Sequence, residues 1–125
     1  MPNTKATGVA YADPLFTTCY ASEEIGYGTD AQGTVTQGSS KSTGVTLNKS
    51  AGRITMHAAS LSGGAAVSFT LTNSLVSAND VMIVNVSGGA ADGTSYAAYV
   101  GGLTAGAATL VLRNLTGGAL AEAVV

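Results

Sequence analysis

Apolar and hydroxyl-bearing residues alternate through 67–72. Val67, Phe69 and Leu71 fall on one side, and Ser68, Thr70 and Thr72 fall on the other. A period of two places one face of a strand against a core and leaves the other in water. The segments 34–37, 44–47, 53–57, 81–86, 95–100, 109–113 and 120–125 read the same way, each rich in β-branched or aromatic residues. Between them lie Ser62-Gly63-Gly64, Ser87-Gly-Gly-Ala-Ala-Asp-Gly93, Gly101-Gly102 and Thr116-Gly117-Gly118, the composition of tight turns. No window carries a helical stripe: the closest, 75–80, is short and sits beside turn formers. No pattern recurs at the fixed period of a solenoid. About eight short strands with turns at near-regular spacing predict an all-β fold, an antiparallel β-sandwich or a jelly-roll-like barrel.

The first 32 residues break this pattern. Four of the aromatic residues, Tyr11, Phe16, Tyr20 and Tyr27, fall there together with both prolines, and strand alternation is poor. An aromatic ring carries a large apolar surface that needs a partner. The segment therefore reads either as an arm lying across a neighbouring protein, with those four aromatics as its partner-binding residues, or as a first strand and loop covering its own barrel. The expected organisation is an N-terminal arm over 1–32 and a single β-sandwich domain over 33–125.

Charge changes the picture more than size does. A chain of 125 residues fits one domain. Only 10% of its residues are charged and the formal net charge is −2, against roughly 25% charged in an average soluble protein. Ser, Thr, Asn and Gly must supply most of the polar surface. Such a surface repels other copies weakly, which suits an assembling subunit. Lys5, Lys41, Lys49, Arg53 and Arg113 are scattered and make no basic stripe for nucleic acid; Lys41 and Lys49 are expected as unpaired surface lysines. No apolar run nears the roughly 20 residues of a membrane-spanning helix, and no apolar block near the N-terminus has signal-peptide length. Cys19 has no partner cysteine, which fits synthesis in a reducing cytoplasm.

Candidate chemistry is sparse. His57 is the sole histidine, so neither a His-pair metal site nor a Ser-His relay has its parts. On an alternating strand it shares a face with Thr55, opposite Ile54 and Met56, and is expected at the surface or in an interface. Asp13, Glu23, Glu24, Asp30, Asp80, Asp92 and Glu122 are dispersed; no pair is positioned by the sequence for glycosidase-type catalysis, and tryptophan platforms are absent. No enzyme activity and no cofactor are expected. Gly88-Gly-Ala-Ala-Asp92-Gly93 is one imperfect copy of a calcium β-roll turn and reads as a mobile hairpin loop. Asn48, Asn85 and Asn114 begin glycosylation triplets that read as chance matches in a Ser/Thr-rich chain.

The order of segments carries a further signal. Thr34-Val-Thr-Gln37, Lys41-Ser-Thr-Gly-Val-Thr-Leu-Asn-Lys49 and Gly52-Arg-Ile-Thr-Met-His57 come first. Val67-Ser-Phe-Thr-Leu-Thr-Asn-Ser74, Asp80-Val-Met-Ile-Val-Asn85, Val111-Leu-Arg-Asn114 and Gly117-Gly-Ala-Leu-Ala-Glu-Ala-Val-Val125 follow. Over roughly residues 25–125 this series resembles a structural module of tailed-bacteriophage virions, found in small head proteins, as capsid decoration or head-fibre proteins, and in tail fibres. The stretches 41–49 and 72–74 are its most specific parts. The resemblance implies a non-enzymatic virion protein, most simply a homotrimeric decoration (cement) protein at local threefold positions. Its partners would be the major capsid protein and itself, on the capsid surface of the virion and in the host cytoplasm during assembly. The alternative it implies is a trimeric tail-fibre or receptor-binding domain touching host glycan through 87–93 and Tyr96 to Tyr99. The module often runs beyond the terminal Glu-Ala-Val-Val, so 120–125 is expected either to pair partially or to be completed by a neighbouring subunit.

Overall fold

A computed structural model describes Leu15 and residues 17–125. In them the chain is all-β, apart from one short 3-10 turn at Thr29–Ala31. Six strands form: β1 (Gln32–Thr36), β2 (Val45–Thr46), β3 (Ala51–Thr55), β4 (Ala66–Thr72), β5 (Tyr96–Thr104) and β6 (Ala107–Asn114). They make two open sheets, one of β1 and β3 and one in the order β2-β4-β6-β5.

The expectation of a wholly antiparallel arrangement is corrected here. β1 runs parallel to β3, from Gln32 opposite Ala51 to Thr36 opposite Thr55, and β2 runs parallel to β4. A parallel pair cannot be closed by a two-residue turn and needs a long connection. The stretch between β1 and β3 supplies it by crossing to the second sheet, lending β2 to β4, and returning.

The second sheet holds the core. Val67, Phe69 and Leu71 of β4 lie opposite Leu112, Leu110 and Ala108 of β6, and all but the half-buried Val67 are buried. The bulky Leu71 meets the small Ala108, so the face fills without overpacking. Ser68, Thr70 and Thr72 point to the other face and are exposed, as the alternation predicts. β5 and β6 form a hairpin whose two-residue turn ends on Gly106, at φ +80°. Only glycine takes that conformation cheaply, and the turn is clamped where Gly106 N–H donates to Val76 O and Gly106 O accepts from Asn73 N–H.

Two of the eight expected strands do not join a sheet. Residues 81–86 alternate between exposed and half-buried, with the period of a strand. Yet no hydrogen bond joins their backbone to any described residue. Residues 120–125 pair piecemeal, through an isolated bridge between Leu61 and Leu120 and bonds to 56, 87 and 88.

Candidate interaction surface

The C-terminal segment is tied into the body by a buried lysine. Lys41 is 3% exposed, and its Nζ donates to His57 O at 2.6 Å and to Glu122 O at 2.5 Å. Burial pushes its ammonium below the ordinary 10.5, partly offset by the Glu122 carboxylate. The expected surface lysine is thus an internal clasp between β3's exit and residue 122. Gln37 braces the same region: its Nε2 donates to Lys41 O and Thr43 O, and its Oε1 accepts from His57 N–H. His57 itself is half-buried, and its Nδ1 accepts from Ala59 N–H. Its ring therefore serves its own loop rather than standing as a free surface group.

Around Glu122 the loop 87–93 is pinned, which corrects the expectation of a mobile hairpin. Glu122 Oε1 accepts from Ala91 N–H at 2.7 Å, and Val125 exchanges backbone bonds with Gly88 and Ser87. Gly89, at φ +78°, lies so close to the Ala123 backbone that a Cβ there would collide with it. Asp92 is spent on its own turn: Oδ1 accepts from the N–H and hydroxyl of Thr94, which lowers its pKa.

Tyr96 is buried at 6% exposure beside the same carboxylate. Its hydroxyl and Glu122 Oε2 are both closed off from solvent without a hydrogen bond of normal geometry. Burial, reinforced by Glu122, pushes the phenol from 10.0 up to about 12. A phenol that keeps its proton longer when folded loses stability as pH rises, because the unfolded chain ionises first. The loss begins near the ordinary value of 10.0, is complete above about 12, and amounts to about 3 kcal/mol. Lys41 acts in the opposite sense: its lowered pKa makes folding more favourable as pH climbs toward 10.5. Urea midpoints compared at about pH 9.5 and about pH 11.5 should fall for the native chain and fall much less for Tyr96→Phe. Equal falls in both would remove Tyr96 as the cause.

Asn114 is fully buried at the end of β6. Its Nδ2 donates to Leu61 O and Gly118 O, and its Oδ1 accepts from the N–H and hydroxyl of Thr116. All four hydrogen-bonding positions of the amide are filled, so the glycosylation triplet that it begins has no accessible acceptor. Asn73 does the same work at the other end of the sheet, donating to Lys49 O and accepting from Leu75 N–H.

The surface has a slot. Residues 50–54 of and beside β3 and residues 80–87 line two adjoining cavities, of about 620 Å³ and about 110 Å³, with Gly52 common to both. Among the described residues β3 is paired on one side only, by β1, and 81–86 is paired on neither. Val81 is 91% exposed and Ile83 82%; Tyr27 and Leu75, which line the larger cavity, are also open to water. Large apolar side chains in water beside unpaired backbone are the usual mark of a surface that another chain covers.

Of the residues expected to bind a partner, Tyr20 and Tyr27 are exposed, at 94% and 62%. Tyr11 and Phe16 lie outside the described residues. Leu15 and residues 17–30, the described part of the arm before Ala31, are exposed throughout. Sequence reasoning missed Lys41, Gln37, Glu122 and Asn114, because polar residues read as surface unless their partners are known. It also set Tyr96 in a glycan-contacting loop, whereas the ring is internal and only Tyr99 reaches solvent. Among the described residues no three His, Cys, Asp or Glu side chains gather as a metal site would require, and no helix is long and apolar enough to cross a membrane. No family model, curated protein or solved structure matches the chain.

Proposed function

We propose that the chain is a structural protein of a tailed-bacteriophage virion, a homotrimeric decoration protein that binds the major capsid protein at local threefold positions and holds the mature head together. The resemblance across 25–125 suggests the family, and one observation carries the mechanical reading. The most exposed large apolar side chains, Leu15, Tyr20, Ile25, Val81 and Ile83, lie on the arm and along 81–86, in a chain with little charge. That is a surface fitted for assembly. On this reading the two open sheets are the layers of a jelly-roll-like sandwich, and the action is thermodynamic: a ligand that binds the mature lattice in preference to its unfolded or immature form stabilises it by mass action. With so few charges, attachment should weaken little as salt rises.

Purified protein mixed with decoration-free, expanded capsids should saturate at a copy number set by the lattice threefolds and raise the melting temperature of the capsids. Absence of binding at micromolar protein overturns the proposal. Binding to host cells with capsid stability unchanged would instead assign the chain to a fibre tip.

A further inference from the structure

We propose that the slot between β3 and residues 80–87 receives the N-terminal arm of a second copy of this chain, so that the copies are held together by exchanged strands. The inference rests on the self-assembling reading above and specifies how the copies join.

Three observations select this occupant. The slot offers backbone on both walls: among the described residues, one edge of β3 and the whole of 81–86 have no ladder partner. An inserted extended segment could therefore form ladder bonds on either side, the recognition mode of strand addition. The arm is such a segment: Leu15, Tyr20 and Ile25 are 99%, 94% and 82% exposed, so the body of their own chain does not bury them. The charges also match. Glu23 and Glu24 are adjacent and exposed on the arm, while Lys49 and Arg53 line the slot from the β3 side. Asp80, the acid lining the slot, accepts from Ser77 N–H, and Lys49 Nζ donates to Asp30 O, a neutral carbonyl that leaves its charge uncompensated.

The arm also starts in the right place. Tyr27 lines the slot's larger cavity and is held there as Gln32 Nε2 donates to Tyr27 O. The described part of the arm thus joins its own body at the rim of a slot. In a ring of rotated copies each arm would reach the next copy's slot, and such a head-to-tail contact makes a closed ring when its rotation closes. Exchange of an arm is a low-cost route to such a ring, because each copy gives and receives the same bonds.

The native Cys19, exposed on the arm, serves as the probe. Val81→Cys, Ile83→Cys and Asn85→Cys each place a second thiol on an exposed position of the slot wall. Under mild oxidation at least one should give a covalent species of two or three copies, and the same variant carrying Cys19→Ser should give none. An internally bridged single chain would show the arm in its own slot, and cross-linking that persists without Cys19 would show the wall pairing with itself. Either result, or no bridge at any of the three positions, overturns the proposal. Glu23→Lys with Glu24→Lys should weaken self-association about tenfold, and Lys49→Glu with Arg53→Glu added to it should restore most of the loss. An unchanged oligomer after reversal also overturns it. Capsid binding is scored separately: cross-linked copies that ignore capsids sink the virion reading alone, and uncross-linked copies that saturate capsids sink only arm exchange.

Discussion

Asn114→Asp should remove most of the stability of the fold, lowering it by more than about 4 kcal/mol in urea titration near neutral pH. The replacement changes almost no volume, so packing is preserved and chemistry alone is tested. Asparagine gives two N–H bonds, to Leu61 O and Gly118 O. A carboxylate gives none and turns its second oxygen on both carbonyls. Each buried group left without its bond costs about 1–3 kcal/mol, and more when charge is involved. Acidification should recover part of the loss, since a protonated aspartate regains one donor. A loss under about 1 kcal/mol would mean that the site opens to water, and the idea of a sealed amide at the end of β6 would fail.

A chain lacking residues 120–125 is expected not to fold cooperatively. Val124 is 1% exposed in the core, and Met56 N–H donates to Val124 O. Leu120 forms the bridge to Leu61, and Glu122 O is one of the two acceptors of Lys41. Removing the segment opens the core above Met56 and leaves the lysine with a single carbonyl. Truncating Val124 alone to alanine should already cost about 2 kcal/mol by cavity formation. The full deletion should lose the sigmoidal thermal transition and the dispersion of amide resonances. Within the chain this segment pairs only partially, through the Leu61–Leu120 bridge and bonds to 56, 87 and 88. A deleted chain that still melts cooperatively would show that a neighbour can take the segment's place.

What could be read in the sequence followed from local periodicity. β4 and β6 alternate with a period of two, and that period dictates a buried and an open face whatever else surrounds them. Residues 81–86 alternate equally well, yet no strand of the described residues pairs with them, because pairing depends on what the rest of the chain brings alongside. Parallel pairing of β1 with β3 was equally hidden: direction is set by the route between two strands, and nothing in either strand records it. Lys41 shows the limit for polar residues. Its burial requires two carbonyls from β3's exit and from residue 122, and neither can be inferred from the neighbours of Lys41 in sequence. Of the expected partner residues, exposure favours the arm over a core-covering strand for Tyr20 and Tyr27, while Tyr11 and Phe16 lie outside the described residues.

The place of Val124 has a consequence for the order of events in the cell. A ribosome makes the chain from the N-terminus at about 5–20 residues per second, so Val124, which seals the core, and Glu122, the second acceptor of Lys41, emerge after all six strands. The β5–β6 hairpin, with its short local turn, can form early, whereas the body cannot close until 120–125 has cleared the exit tunnel. Until then the arm and the unpaired 81–86 edge are already outside. Under the proposed arm exchange, copies on one messenger would present these parts to one another before their cores are shut, and neighbours would begin to join during synthesis rather than after it.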